Sequence, residues 1–307
     1  MSQLFSGRGV FCFPAIWVSA NGRFPHQRDR PVNLQRRIAI DMELDAGIRL
    51  IITEDGFFCP IMSRSEQEIE KFLNTIFATI TTKFSQAVQI SLEVDYSSFR
   101  YEEGSEFVQV GGTRSLMSLR NFFEFERDNE ETFHLWAGMP RNPIQTNILE
   151  GFIRQAYIFY QNPEYADDLI LIGEAWSLSF DKKHTASFLY SWMIIETMLE
   201  NTWIKHVNSL SVSSDERKFL KSHNSWSVSH YIQSLPMVGK MDNVTRQTLN
   251  RLRQMRNQIV HDRYAVTLDE AWDCMNVACS LIYNKLNFGD AFLSQQTRFE
   301  RIEFSYV

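Results

Sequence analysis

The apolar residues of this chain change their spacing part-way along, and that change restricts the fold more than any other feature. In the first half Ile38, Ile40, Met42 and Leu44 alternate with other residues, as do Val88, Ile90, Leu92 and Val94. A repeat of two is the mark of a half-buried strand. Residues 48–53 read as the hairpin partner of residues 37–44, with Asp45-Ala46-Gly47 as the turn, and residues 107–110 read as a further strand. One helix interrupts them. Ser65 and Glu68 form a capping box, and Ile69, Phe72, Leu73, Ile76, Phe77, Ile80 and Phe84 then keep helical spacing on a face that reads as core. Pro140 and Pro143 break the pattern. Beyond them the period is helical: residues 146–160, 163–180, 185–206, a short helix capped by Ser213 and Glu216, residues 243–261, and a last helix capped by Thr267 and Glu270 and running to about residue 287. The expected fold class is therefore an α+β N-terminal domain (residues 1–140) followed by an all-α helical-bundle domain (residues 141–307).

Composition excludes several alternatives. With 44% apolar and 22% charged residues over 307 positions, the chain is neither disordered, collagen-like nor a disulfide-dense mini-protein. Cys12, Cys59, Cys274 and Cys279 form no CxxC pair, so buried reduced thiols are expected rather than a zinc or redox motif. The apolar run at residues 9–18 contains Pro14 and lacks a small-residue cleavage site, which suits a buried strand better than a signal peptide. No segment reaches the roughly 20 apolar residues of a membrane span. A cytoplasmic protein with no membrane partner is expected.

The net charge of −6 argues weakly against a nucleic-acid partner, but it is an average. Residues 240–263 carry six cations against Asp242 and Asp262, a local charge of +4. Residues 1–40 carry Arg8, Arg23, Arg28, Arg30, Arg36 and Arg37 against Asp29 alone, a local charge of +5. Local potential attracts phosphate, so two basic islands in an acidic body are compatible with RNA.

The second island holds the chemistry. Leu249, Leu252, Met255 and Ile259 form an apolar stripe on one helix. Arg253, Asn257 and His261 stand at i, i+4 and i+8 on another face, with Arg256 beside them. A guanidinium, an amide and an imidazole at one helix end suit cleavage of RNA through its own 2′-hydroxyl. Imidazole is the side chain that exchanges protons near neutral pH, and Arg presents a fork of donors matched to phosphate oxygens. That reaction requires no metal, and the sequence has no HExxH pattern or metal-ligand cluster; no cofactor is expected. The competing reading is a solvated basic face, with His261 favourably placed against the helix C-terminus.

Arg256-Asn257-x-x-x-His261 resembles the Arg-polar-x-x-x-His signature of the HEPN superfamily. Residues 188–199, with Glu196 at their centre, resemble the long second helix of the ApeA-like HEPN branch, and residues 265–283 resemble its closing helix. Ile195 departs from that branch, where a small residue precedes the Glu. The resemblance covers roughly residues 150–288. It implies an α-helical bundle that pairs as a homodimer, with two motifs facing across a composite cleft, and a metal-independent RNA endonuclease of a defence or growth-arrest system. By position, His261 would be the general acid/base, Arg256 would stabilise the phosphate and Asn257 would orient either group. Arg251 and Arg263 would extend the RNA-binding strip. Glu196 would hold Arg256 or Arg253 in place, unless it is a surface carboxylate on a broad apolar helix.

Single-stranded RNA or tRNA loops are the expected substrates. The alternative is a non-catalytic HEPN-like module for dimerisation or nucleotide binding. A third reading gives the N-terminal domain, of unknown role, a regulatory partner or trigger that restrains a latent nuclease. The remaining signals are weak. Gly7-Arg8-Gly9 lacks the third glycine of a dinucleotide loop, and Gly111-Gly112 marks a turn. His223 and His230 are seven apart. Glu124, Glu126, Asp128, Glu130 and Glu131 read as a solvated charge run. Phe13, Trp17 and Phe24 accompany the N-terminal arginines as an RNA or partner patch, against a solvated loop.

Overall fold

The computed structural model describes residues 2–12, 16–21, 35–45, 47–84, 96–113, 142–222 and 226–286. The expected strand at residues 88–94, the acidic run at 124–131, His223 and the arginines at 23, 28 and 30 lie outside them, as do Phe13 and Phe24.

The structure overturns the expected fold class. The chain is not an α+β N-terminal domain followed by an all-α bundle: its N-terminal part is a closed six-stranded antiparallel barrel, and the described residues hold eight helices besides. The barrel strands are β1 (Leu4–Phe11), β3 (Gln35–Asp45), β4 (Ile48–Thr53), β5 (Phe57–Met62), β6 (Ser97–Glu102) and β7 (Phe107–Thr113), in the order β1-β5-β4-β3-β7-β6. The circle closes where Gly7 of β1 pairs with Phe99 of β6. A separate parallel pair joins β2 (Ile16–Ser19) to β8 (Asn142–Gln145).

The barrel was hidden because several of its strands are apolar on both faces. In β5, Phe57 and Cys59 enter an interior core with Phe11, Ile51, Phe99, Tyr101, Val108 and Val110. Phe58 points the other way, into a second core with Val10, Leu50 and Ile52, where its ring meets Phe77 edge-on at 5.0 Å. A strand buried on both sides loses the alternation that betrays it in sequence. β1 is masked by Gly7 and Gly9. A Cβ on Gly9 would lie 2.5 Å from the Phe58 carbonyl oxygen and 2.7 Å from the Phe57 ring, so only glycine lets β1 approach β5. The Gly-Arg-Gly triplet belongs to barrel closure.

Helix α1 (Glu66–Phe84) covers the outer core with Phe72, Leu73, Ile76, Phe77 and Ile80. Helix α2 (Thr146–Tyr160) packs against α1 and adds Leu149, Ile153 and Ala156 to that core. The chain divides into two compact units, residues 1–173 and 174–307. The sequence reading divides it at 140/141. The helix after the prolines thus lies in the barrel unit, and the division falls inside α3 (Pro163–Phe180).

The second unit contains the end of α3 and helices α4 (His184–Ser209), α5 (Ser214–Leu220), α6 (Val228–Met237), α7 (Asn243–Asp262) and α8 (Leu268–Leu286). α4 packs along α8 and against α6 and α7, burying Phe188, Trp192, Ile195 and Leu199 together with Leu252, Cys274, Met275 and Ala278. Trp176 and Trp272 meet edge-on at 4.6 Å. Among the described residues, no helix is long and apolar enough to cross a membrane.

Candidate functional site

Helix α7 begins at a defined cap and ends at a defined turn. The Asp242 side chain accepts from the Thr245 amide at 2.7 Å, satisfying one of the donors that a helix start leaves open. Leu249, Leu252, Met255 and Ile259 are buried, which fixes the rotation of the helix. Arg253, Arg256 and Asn257 are half-buried on the remaining surface, and His261 is exposed. Arg263 terminates the helix in the left-handed conformation, φ 54°, where glycine is the usual occupant.

Arg256 and Asn257 are together: the guanidinium approaches Asn257 Oδ1 at 3.5 Å, the long end of hydrogen-bonding range. His261 lies one turn beyond Asn257 on the same row, a separation of about 5–6 Å between Cβ atoms. Among the described residues, none holds its ring by a hydrogen bond or ion pair. Arg253 shares the row, and its Nε is buried with no hydrogen-bond partner. A row bearing a half-buried guanidinium pair and a free imidazole can hold a phosphodiester and exchange a proton beside it.

Two sequence-derived placements come out differently. Glu196 accepts from Trp192 Nε1 at 2.7 Å, within its own helix, and pairs with neither Arg256 nor Arg253. The half-buried carboxylate finds its partner one turn back, where an indole N–H is available. Arg251 is tied to Asp273 of α8 at 2.9 Å, an exposed pair. Arg263 is exposed but serves the backbone as the helix terminus.

Sequence reasoning named Glu270 as a cap with Thr267 but missed Tyr264. The Tyr264 hydroxyl donates to Glu270 Oε1 at 2.9 Å, while Glu270 Oε2 accepts from the Thr267 amide and hydroxyl at 2.8 and 2.9 Å. The bond from the Thr267 amide is the main reason that the Glu270 carboxyl lies below its ordinary range. The signal was present in the capping pair Thr267/Glu270, but nothing in its spacing shows that Tyr264 shares it.

A second polar cluster lies in the barrel unit, and no sequence motif marks it. Arg49 binds Asp41 with two bonds of 2.7 Å and reaches Glu103 at 3.2 Å, and the Tyr101 hydroxyl donates to Asp41 at 2.9 Å. Burial pushes the Asp41 carboxyl up, but the hydrogen bonds from Arg49 and Tyr101 outweigh it and leave it below its usual value. Asp41, Arg49 and Tyr101 line an open cavity of about 520 Å3 with Arg37, Glu54 and Glu106. Asp41, Arg49 and Tyr101 satisfy one another, so the cluster reads as a structural network.

All four cysteines are buried free thiols. Burial raises each one, Cys12 and Cys279 to about 12, which favours the neutral thiol. Among the described residues, no group of three or more His, Cys, Asp or Glu is placed to hold a metal ion.

No protein-family model matches the chain, and no curated protein and no solved structure matches it either.

Proposed function

We propose that this chain is an RNA endonuclease of the HEPN kind, acting from the end of α7. The observation that carries this reading is the exposed, unpartnered His261 one turn beyond the Arg256–Asn257 pair. In the proposed reaction the ribose 2′-oxygen attacks the adjacent phosphorus and the P–O5′ bond breaks. The products are a 2′,3′-cyclic phosphate and a 5′-hydroxyl. The 2′-hydroxyl proton leaves and the 5′-oxygen gains one, and His261 serves one of these transfers. Arg256 binds the non-bridging oxygens as charge builds on them, and Asn257 orients the phosphate or the imidazole. Residues Arg253 and Arg263 add positive charge along the strand. One imidazole cannot be base and acid in the same step, so a homodimer that brings two His261 residues to one phosphate completes the scheme. Single-stranded RNA or tRNA loops are the substrates, and defence or growth arrest is the setting.

The test is growth on expression of wild type beside His261→Ala, with RNA ends mapped. Wild type arrests growth and leaves 2′,3′-cyclic phosphate ends; the variant does neither. Equal growth of the two with no new ends would sink the reading. The competing reading, a non-catalytic dimerisation or nucleotide-binding module, draws on Glu196 being engaged by Trp192 rather than by an arginine. It gives an Arg256→Ala variant with altered association and no change in RNA. The barrel unit is the segment on which a trigger or regulatory partner would act.

A further inference from the structure

We propose that Tyr264 is a base-stacking residue, whose ring forms a platform for the nucleobase beside the phosphate held at the end of α7. The inference rests on the reading of Arg256, Asn257 and His261 as a ribonuclease site. Four observations carry it.

The first is position. The left-handed turn at Arg263 folds the chain back, so that the Tyr264 amide donates to the Gln258 carbonyl at 3.3 Å. Gln258 is three residues before His261, and residues so spaced are helix-surface neighbours. Tyr264 therefore begins beside the turn that carries the imidazole. The second is orientation. The hydroxyl is held by Glu270, and Glu270 by Thr267, so the ring is anchored at its far end before any ligand arrives. The third is exposure. Tyr264 is 38% exposed, with Val260 at 51% and Leu268 at 47% on either side of it in sequence. A ring serving only the core would be buried, whereas an aromatic side chain left partly in water suits a stacking partner. The fourth is charge. Arg253, Arg256 and Arg263 stand at this end of α7 against Asp262, while Glu270 on the ring side is taken up by Tyr264 and Thr267, so the occupant is anionic on the arginine side and flat and apolar on the ring side, and an unpaired nucleic-acid strand is both. A second copy meeting this strip with nothing between them would bring one basic surface against another, so the homodimer that shares a phosphate at His261 needs the nucleic-acid strand between its two strips.

The test uses the full chain and a short single-stranded 2′-O-methyl oligonucleotide, which 2′-hydroxyl attack cannot cleave. Abasic residues are scanned along it and affinity is read by fluorescence anisotropy. In wild type one abasic position weakens binding by about tenfold, the size of one stacked base. Tyr264→Ala weakens the intact oligonucleotide by the same factor and makes that position indifferent, and Tyr264→Phe recovers most of the loss. The proposal is overturned if Tyr264→Ala binds as wild type does, if it binds more weakly but remains as sensitive to the abasic position, or if it alters sedimentation while affinity stays put, which would make the strip a protein interface. Because binding is read without cleavage, the two readings fail separately. The abasic signature with natural RNA left uncut removes the ribonuclease and keeps the platform. Cutting with an unchanged KM in Tyr264→Ala removes the platform and keeps the ribonuclease. No binding at all removes both.

Discussion

Arg263 is the residue where backbone cost and proposed function meet. An L side chain in the left-handed region is strained, and glycine at this position would end α7 with less strain. Arg263→Gly is therefore expected to raise stability by about 1 kcal/mol, with a small rise in Tm, and to lower RNA affinity because a cation beside His261 is lost. A variant that is less stable and binds RNA as wild type does would contradict both halves. Part of the candidate site was legible at this scale. Arg253, Asn257 and His261 could be placed on one row because helical spacing is fixed by geometry. Partner choice was not legible: Glu196 accepts a hydrogen bond from Trp192 one turn back rather than from an arginine of another helix, and Arg251 pairs with Asp273 of another helix, because which of the partners within reach is taken depends on tertiary approach.

Helices and strands differ in what the sequence reveals. α7 buries one stripe and leaves the rest at least partly exposed, and α1, although buried all round at residues 72–80, has Asn74, Thr75 and Thr79 between its apolar residues, so both show the period directly. β4 and β5 bury both faces, and Gly7 and Gly9 break the pattern of β1, which is why the barrel did not show. Gly9→Ala tests that account. The new methyl meets the Phe58 carbonyl and Phe57 ring, and overpacking of this kind costs about 1–3 kcal/mol, read as a lower denaturation midpoint; an unchanged midpoint would mean that β1 does not close on β5. The caps give a pH dependence. Glu216, Asp242 and Glu270 are each held below their ordinary range, chiefly by the Ser213 hydroxyl, the Thr245 amide and the Thr267 amide. A carboxylate depressed in the folded state contributes stability above its unfolded value, about 3.9 for Asp and 4.3 for Glu. That contribution is lost as pH falls through the lower, folded value. Thermal melts monitored by helix circular dichroism should hold steady above about pH 5 and decline below about pH 4; a decline beginning near neutrality would point to another group.

At the scale of the whole molecule, the division at residues 173/174 changes how the protein can be cut. A fragment of residues 141–307 would carry α2 without α1, exposing Leu149, Ile153 and Ala156, which the barrel unit buries. It should aggregate or bind a hydrophobic dye where the full chain does not. A monodisperse fragment that binds no dye would show that α2 does not need the barrel. Relief of a restraint on the proposed nuclease is thus better sought with point changes in the barrel. The proposed reaction itself is tested most directly by the rate at which purified full-length protein cuts total RNA in EDTA. The account predicts products with 2′,3′-cyclic phosphate ends, and a His261→Ala rate lower by about 10²–10⁴-fold, the range of one general acid/base. No products from wild type, or equal rates from the two proteins, would contradict it.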